Sequence, residues 1–253
     1  MNYLDKLVNS LNKSPLTLIQ FYDILKKSDT FYDNLELEQE LLISNGLPLH
    51  FSHDQVSLTT TTNNIENQTF CIVDIETTAG NAKDGQIIEI GAVKYKNGQV
   101  IEKYDSLVNT REIPKKIQEL TGITPSMTHD APNLRTVLEE FKIFLEDDVF
   151  VAHAIAFDYK FISDSFKKYD LGELCNRRIC TIELSKKLIE CERYGLKYLK
   201  EHLNIDIDNH HRAYSDALST QKILEVCLGK LPSSIVTTED LINFSKSSKR
   251  KRK

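Results

Sequence analysis

The sequence predicts an α/β protein, a mixed β-sheet flanked by helices and preceded by a small helical module. Three observations lead there. Residues 70–108 hold three apolar, strand-like runs separated by polar breaks. Residues 133–169 place one short apolar run between two stretches of helical periodicity. Before residue 50, leucines recur at three- and four-residue spacing. Strands followed by a helix, another strand and more helices imply a sheet covered by helices.

Taken in order, residues 3–11, 15–25 and 34–42 read as three short helices, with Ser14-Pro15 as an N-cap followed by Pro at the first helical position. Residues 51–68 turn polar, and the T-T-T-T-N-N of 59–64 reads as an exposed linker. Residues 1–50 are thus expected to form a helical module, and residues 69–230 the main domain. In that domain 70–75, 86–95 and 100–108 form a three-strand meander, with Lys96-Asn97-Gly98 as a turn. A helix over 133–145, a buried strand over 149–153 and helices over 157–169, 182–189, 196–202 and 213–228 follow. Residues 231–253 lack periodicity, end in K-S-S-K-R-K-R-K, and are expected to form a basic, disordered tail.

Composition narrows the function classes. Of 253 residues 40% are apolar and 27% charged, which allows a substantial core and excludes collagen-like and wholly disordered chains. The longest apolar runs fall far short of the roughly 18–20 residues that span a bilayer, so no membrane span is expected. Asp5 and Lys6 stand where a secretory signal would be apolar, and cytoplasmic location is the default expectation. Five cysteines without a C-x-x-C pair suit a reducing compartment, and Cys175, Cys180, Cys191 and Cys227 match no common zinc spacing. The net charge of −5 hides an asymmetry: residues 246–253 carry +6 and the other 245 residues −11. An acidic body does not suit a duplex-coating protein, because phosphate binding is driven by Lys and Arg.

Charged residues inside apolar runs mark the candidate site. In C-I-V-D-I-E-T-T, Asp74 and Glu76 interrupt a strand. Two apart, they project from one face, about 7 Å from each other along the backbone. Ionised together they would repel and lose solvation unless a cation or donor compensates; a divalent metal is the simplest compensation, and an exposed strand end with solvated acids is the alternative. In V-F-V-A-H-A-I-A-F-D-Y-K-F, Asp158 lies near a helix start, where the helix dipole alone accounts for an acid. In H-R-A-Y-S-D-A, Asp216 stands five residues after His211 and opens an apolar helical pattern, which ordinary capping also explains.

The joint pattern is more specific than its parts. D-x-E on the first strand, F-D on a helix after the fourth and H-x-A-x-x-D near the end resemble the DEDDh branch of the DnaQ-like 3′→5′ exonucleases. The stretches Q-I-I-E-I-G-A-V and L-T-G-I-T are also similar to that family, and within it the likeness is strongest to the proofreading epsilon subunits of bacterial DNA polymerase III. The resemblance covers about residues 69–228 and implies a ribonuclease-H-like fold. It departs at Ala154, where the family usually has Asn after the histidine, which puts substrate positioning in doubt.

The resemblance implies roles. Asp74, Glu76, Asp158 and Asp216 would hold two Mg²⁺ or Mn²⁺ ions with Asp74 bridging them, since hard cations prefer carboxylate oxygen. His211, rather than its neighbour His210, would act as general base. Thr77, Phe157 and His153 would contact the terminal nucleotide, with core packing an alternative for Phe157 and a structural tie one for His153. The implied reaction removes nucleoside 5′-monophosphates from single-stranded or frayed DNA 3′ ends, in proofreading beside a DNA polymerase catalytic subunit. The alternatives are RNA 3′-end trimming, as in ribonuclease T or oligoribonuclease, and a non-catalytic polymerase- or clamp-binding adaptor. Gln55 to Thr59, Q-V-S-L-T, weakly resembles peptides that bind the bacterial sliding clamp.

Overall fold

The computed structural model describes residues 3–27, 34–207 and 211–247. The first elements are α1 (Tyr3–Leu11), β1 (Leu16–Thr17), α2 (Leu18–Leu25), α3 (Leu35–Ser44), β2 (Leu49–Ser52) and β3 (Gln55–Leu58). All three expected helices are present, but the second starts later than expected. Thr17, not Ser14, is its N-cap, in a reciprocal capping box with Gln20.

The three strands correct the reading of an all-helical module and an exposed linker. They form an antiparallel sheet in the order β1-β3-β2, with Val56 opposite both Leu16 and Phe51. Val56 and Leu58 are fully buried against Leu7, Leu11, Phe21, Leu25, Leu42 and Leu47. The alternation that buries them is only four residues long, too short to stand out beside the threonines that follow. Those threonines form one turn of 3-10 helix, Thr59–Thr61, rather than a free linker, and Thr60 is buried. Gln55–Leu58 is paired with β2 along its length and with β1 at Gln55 and Val56, so it is a strand of a sheet rather than a free peptide, and nothing in its setting supports clamp binding.

The larger body contains β4 (Phe70–Thr77), β5 (Ile87–Lys96), β6 (Gln99–Leu107), α4 (Lys115–Thr121), α5 (Pro125–Thr128) and α6 (Leu134–Leu145), then β7 (Val149–Ala152), α7 (Ala156–Lys168), β8 (Arg178–Cys180), α8 (Thr181–Leu188), α9 (Leu196–Leu203), α10 (Ala213–Leu228) and α11 (Thr238–Lys246). Its five strands lie in the order β6-β5-β4-β7-β8. β4 is antiparallel to β5 and parallel to β7, so the sheet is mixed as expected. The expected turn joins β5 to β6, with Asn97 and Gly98 both at positive φ (48° and 77°), as a two-residue hairpin turn requires.

Alternating residues of β4 face two apolar layers. Cys71, Val73 and Ile75 pack with Val137, Leu138 and Phe141 of α6 and Ile162 and Phe166 of α7. Phe70 and Ile72 pack with Leu184, Leu199, Ala217, Ile223 and Leu224 on the opposite side. A central strand covered on both faces is where an acid costs most to bury.

The tail reading is corrected up to residue 247. Thr237 and Asp240 cap α11 reciprocally, Leu241 and Ile242 are fully buried, and Glu239 is buried in a salt bridge with Arg177. Leu241, Ile242 and the partly buried Phe244 anchor this helix, too few apolar residues to give a visible period. The basic run after residue 247 lies outside the described residues. The smaller sheet's module meets the larger body through Asn45, whose carbonyl accepts from the Cys175 N–H at 2.7 Å and whose side chain accepts from Lys142 Nζ at 3.0 Å.

Candidate active site

The acids expected to act together meet at the carboxyl end of β4. Asp74 and Glu76 are half-buried on the face of β4 that turns toward α10. Asp158, in the first turn of α7, is 4% exposed, and Asp216, in the first turn of α10, is 6% exposed. One ligand atom each of Glu76, His211 and Asp216 lies within 4.8 Å of the others. The His211 backbone N–H donates to Asp216 Oδ2 at 3.2 Å, across the five-residue spacing that the sequence shows. His211 is exposed, with its backbone in the left-handed region (φ 62°). His210 lies outside the described residues.

A missing side chain allows this convergence. Gly91 of β5 stands opposite Asp74. A Cβ at Gly91 would meet Tyr214 N at 2.1 Å and the Ala213 carbonyl carbon at 2.2 Å. The start of α10 therefore rests its backbone directly on β5, which carries Asp216 to the β4 acids.

The acids raise one another's pKa. Asp74 is pushed well above the usual carboxylate range by burial and then by Asp158, Asp216, Glu76 and Glu89. Glu76 is raised to about 8 by burial and by Glu89, Asp216 and Asp158, with Arg212 opposing. Burial lifts Asp158 to about 7, against backbone N–H bonds from Asp158 itself and Ile75. A site that crowds like charges out of water is built for positive charge. The donor set is carboxylate oxygen with one imidazole and no thiol, which fits a hard divalent cation of the Mg²⁺ or Mn²⁺ kind.

The residues expected to contact a nucleotide fare differently. Phe157 is 39% exposed, so it is not a core residue, and its ring leans on Phe161 with centroids 5.7 Å apart. The Thr77 hydroxyl donates to the Ala79 carbonyl at 2.8 Å, so its side chain holds the turn after β4. His153 is corrected to a structural tie. Its Nε2 lies 2.9 Å from the Tyr194 carbonyl, which can only accept, so Nε2 carries the proton and Nδ1 accepts from the Thr181 hydroxyl at 2.8 Å. Burial lowers this histidine to about 4, so it stays neutral and has no ring nitrogen left for a nucleotide. Ala154, where the family's usual Asn is missing, sits at φ 67°, a conformation Asn adopts far more readily than Ala.

Two residues near the acids were not singled out from the sequence. Glu89 of β5 has no exposed surface, and Arg212 precedes α10 and donates to it from Nε at 2.9 Å and Nη2 at 2.6 Å. The signal was present: Glu89 interrupts the apolar run I-I-E-I-G-A-V just as Asp74 interrupts its own, and a buried charge needs a partner.

With this geometry in place, comparison with known proteins is direct. The RNase T exonuclease family model matches residues 71–224, well over half of the chain. The chain belongs to this family of exonucleases, the DnaQ-like 3′→5′ group that its motifs resemble, and is a nuclease by membership. Among its relatives, DNA polymerase III PolC-type of Staphylococcus haemolyticus is 33% identical over 205 residues, 80% of this chain. The PolC-type polymerase of Oceanobacillus iheyensis is 33% identical over 185 residues, 72% of this chain. The chain spans only 14% and 12% of the length of these two relatives. Exonuclease X, solved with 5′ overhanging duplex DNA, superposes with a TM-score of 0.57 at 24% identity, covering 70% of this chain and 99% of its own. Exonuclease I of E. coli with a dA16 oligonucleotide gives a TM-score of 0.58 at 16% identity, covering 66% of this chain and 42% of its own. Both share the fold. Among the described residues no helix is long and apolar enough to cross a membrane.

Proposed function

We propose that the chain hydrolyses the last phosphodiester at the 3′ end of single-stranded or frayed DNA, releases a nucleoside 5′-monophosphate, and proofreads beside a DNA polymerase. The observation that carries this reading is the meeting of Asp74, Glu76, Asp158 and Asp216 with His211 at one end of β4. In the reaction a water oxygen bonds to phosphorus, the bond from phosphorus to the preceding O3′ breaks, and that oxygen leaves as a 3′-hydroxyl. The four carboxylates would hold two Mg²⁺ or Mn²⁺ ions, which acidify the water and offset charge on the phosphate. His211 takes the water's proton on an imidazole nitrogen, and Asp216 keeps that residue's backbone in place. Phe157 offers an exposed ring to the terminal base.

A terminus must be unpaired to reach acids recessed at a strand end, so a mismatched end reacts faster than a matched one. The likeness of this chain to part of PolC-type polymerases supports DNA as substrate and a polymerase as partner. The test is Mn²⁺-dependent digestion of a DNA single strand, a duplex with a mismatched 3′ end, a matched duplex and an RNA strand, with the products identified. Mononucleotides from the first two, released at least about tenfold faster than from the matched duplex, are the result this reading requires. Faster digestion of RNA than of DNA would replace it with RNA trimming, and no digestion at all would leave an adaptor.

A further inference from the structure

Glu89 and Gly91 are alternate residues of β5, opposite Glu76 and Asp74 respectively, so both face α10. Gly91 makes room for the start of that helix, and Glu89 grips it. One carboxylate oxygen accepts from Arg212 Nε and Nη2 at 2.9 and 2.6 Å, and the other accepts from the Ala213 backbone N–H at 2.8 Å. Ala213 is the first residue of α10, and Arg212 makes no side-chain cap of its own. Glu89 therefore caps the helix from a neighbouring strand, at the end where an acid is favoured. Glu76 and Glu89 side by side would repel, and the Arg212 guanidinium offsets this.

His211 precedes this clamp by one residue. It is exposed, and its backbone lies in a left-handed turn whose next two residues are held by Glu89. We propose that the Glu89–Arg212 pair is the positioning device for His211: it fastens the turn to β5 and thereby sets the imidazole against Glu76 and Asp216. This rests on the exonuclease reading, in which His211 is the base. Glu89 and Arg212 touch neither substrate nor water in this scheme; they act through His211.

Glu89→Gln removes the charge at nearly constant shape. With saturating Mn²⁺ and a single-stranded oligonucleotide, kcat falls about 30- to 100-fold while KM stays within about twofold. A cycle with His211→Ala separates positioning from a general brace. If Glu89 acts through His211, the double variant is no slower than His211→Ala alone, within about twofold. If the two losses multiply, the proposal is overturned. Hydrogen exchange of the metal-free protein gives a readout that needs no activity. In Glu89→Gln, amides 211–214 exchange at least about tenfold faster while those of β4 do not change; unchanged exchange at 211–214 overturns the anchor. Arg212→Lys keeps the charge but not the fork and should show the same pattern more weakly, which covers a failure of Glu89→Gln to fold. A wild type that digests no nucleic acid defeats the proposed function, and the exchange experiment still decides whether the clamp holds the turn.

Discussion

Two clusters of buried carboxylates in this molecule handle their charge in opposite ways. At the end of β4, Asp74, Glu76, Asp158 and Asp216 crowd together with their own sign, and burial and mutual repulsion raise the pKa of Asp74 and Glu76. Across the sheet, Glu239 of α11 is 4% exposed and is met by Arg177 beside β8 and by the Thr60 hydroxyl at 2.8 Å. The second cluster is closed: its charges satisfy one another and tie α11 to β8 and to the Thr59–Thr61 turn. The first is open: it carries an excess of negative charge, with Arg212 alone among the described residues opposing it at Glu76. Burial alone does not mark a functional acid; an excess of like charge around it does.

The largest effect should follow from closing the gap that brings the open cluster together. In Gly91→Ala the new Cβ collides with backbone at Tyr214 and Ala213, which cannot rotate away. We predict at least about a 100-fold loss of exonuclease activity together with about 2–3 kcal/mol of stability, since overpacking shifts α10 as a unit. Activity near wild type would mean that α10 tolerates displacement and that its placement of Asp216 is loose.

Breaking the closed cluster should do the reverse. Glu239→Gln leaves Arg177 buried without its counter-charge, costing about 3 kcal/mol, or roughly 6–12 °C of melting temperature in a chain of this size. Activity per folded molecule should stay within about twofold of wild type. A large loss of kcat with no loss of stability would show that this cluster also serves catalysis.

The open cluster should also respond to pH. Glu76 and Asp158 have folded-state values near 8 and 7, above the ordinary range for the unfolded chain. The folded state therefore binds more protons between about pH 4 and 8, and the stability these groups lend in acid is lost as pH rises through that window. In chelator the melting temperature should fall from pH 5.5 to 8.5. With Mn²⁺ present the carboxylates are held ionised, so the fall should shrink and the stabilisation by metal should grow with pH. A metal effect independent of pH would separate these acids from metal binding. Asp74→Asn should flatten the chelator profile.

The smallest predicted effect concerns Ala154, held at φ 67° just after β7. Ala154→Gly should stabilise the protein by about 0.5–1 kcal/mol through relief of that conformation, read as a shift of roughly 1–4 °C. A destabilisation would show that the alanine methyl makes a contact worth more than the strain.

The larger body was legible because its elements carry strong periods: every helix and strand expected between residues 70 and 228 is present, most within two residues of its expected ends. What escaped was short or thinly anchored. The module's strands are two to four residues long, and β8 has three, below the length at which alternation can be told from chance. Asp158 and Asp216, which a helix start accounts for by itself, stood out only through the family resemblance. Asp74 and Glu76 were legible for a physical reason, since charge inside an apolar strand has to be explained. The same reasoning applied to Glu89 would have found the Arg212 clamp. Only coordinates, however, could show that the ring of His153 and the hydroxyl of Thr77 already bond to protein groups.

We propose that the like-charged carboxylates at the end of β4 form a metal-dependent nuclease centre. Its most direct test is release of mononucleotides from a 3′-labelled single-stranded DNA, with and without Mn²⁺, by wild type and Asp74→Asn. The account predicts metal-dependent release by wild type and a loss of at least about 10³-fold in Asp74→Asn, with the fold kept and the melting temperature in chelator unchanged or higher. Substantial Mn²⁺-dependent release by Asp74→Asn would contradict it.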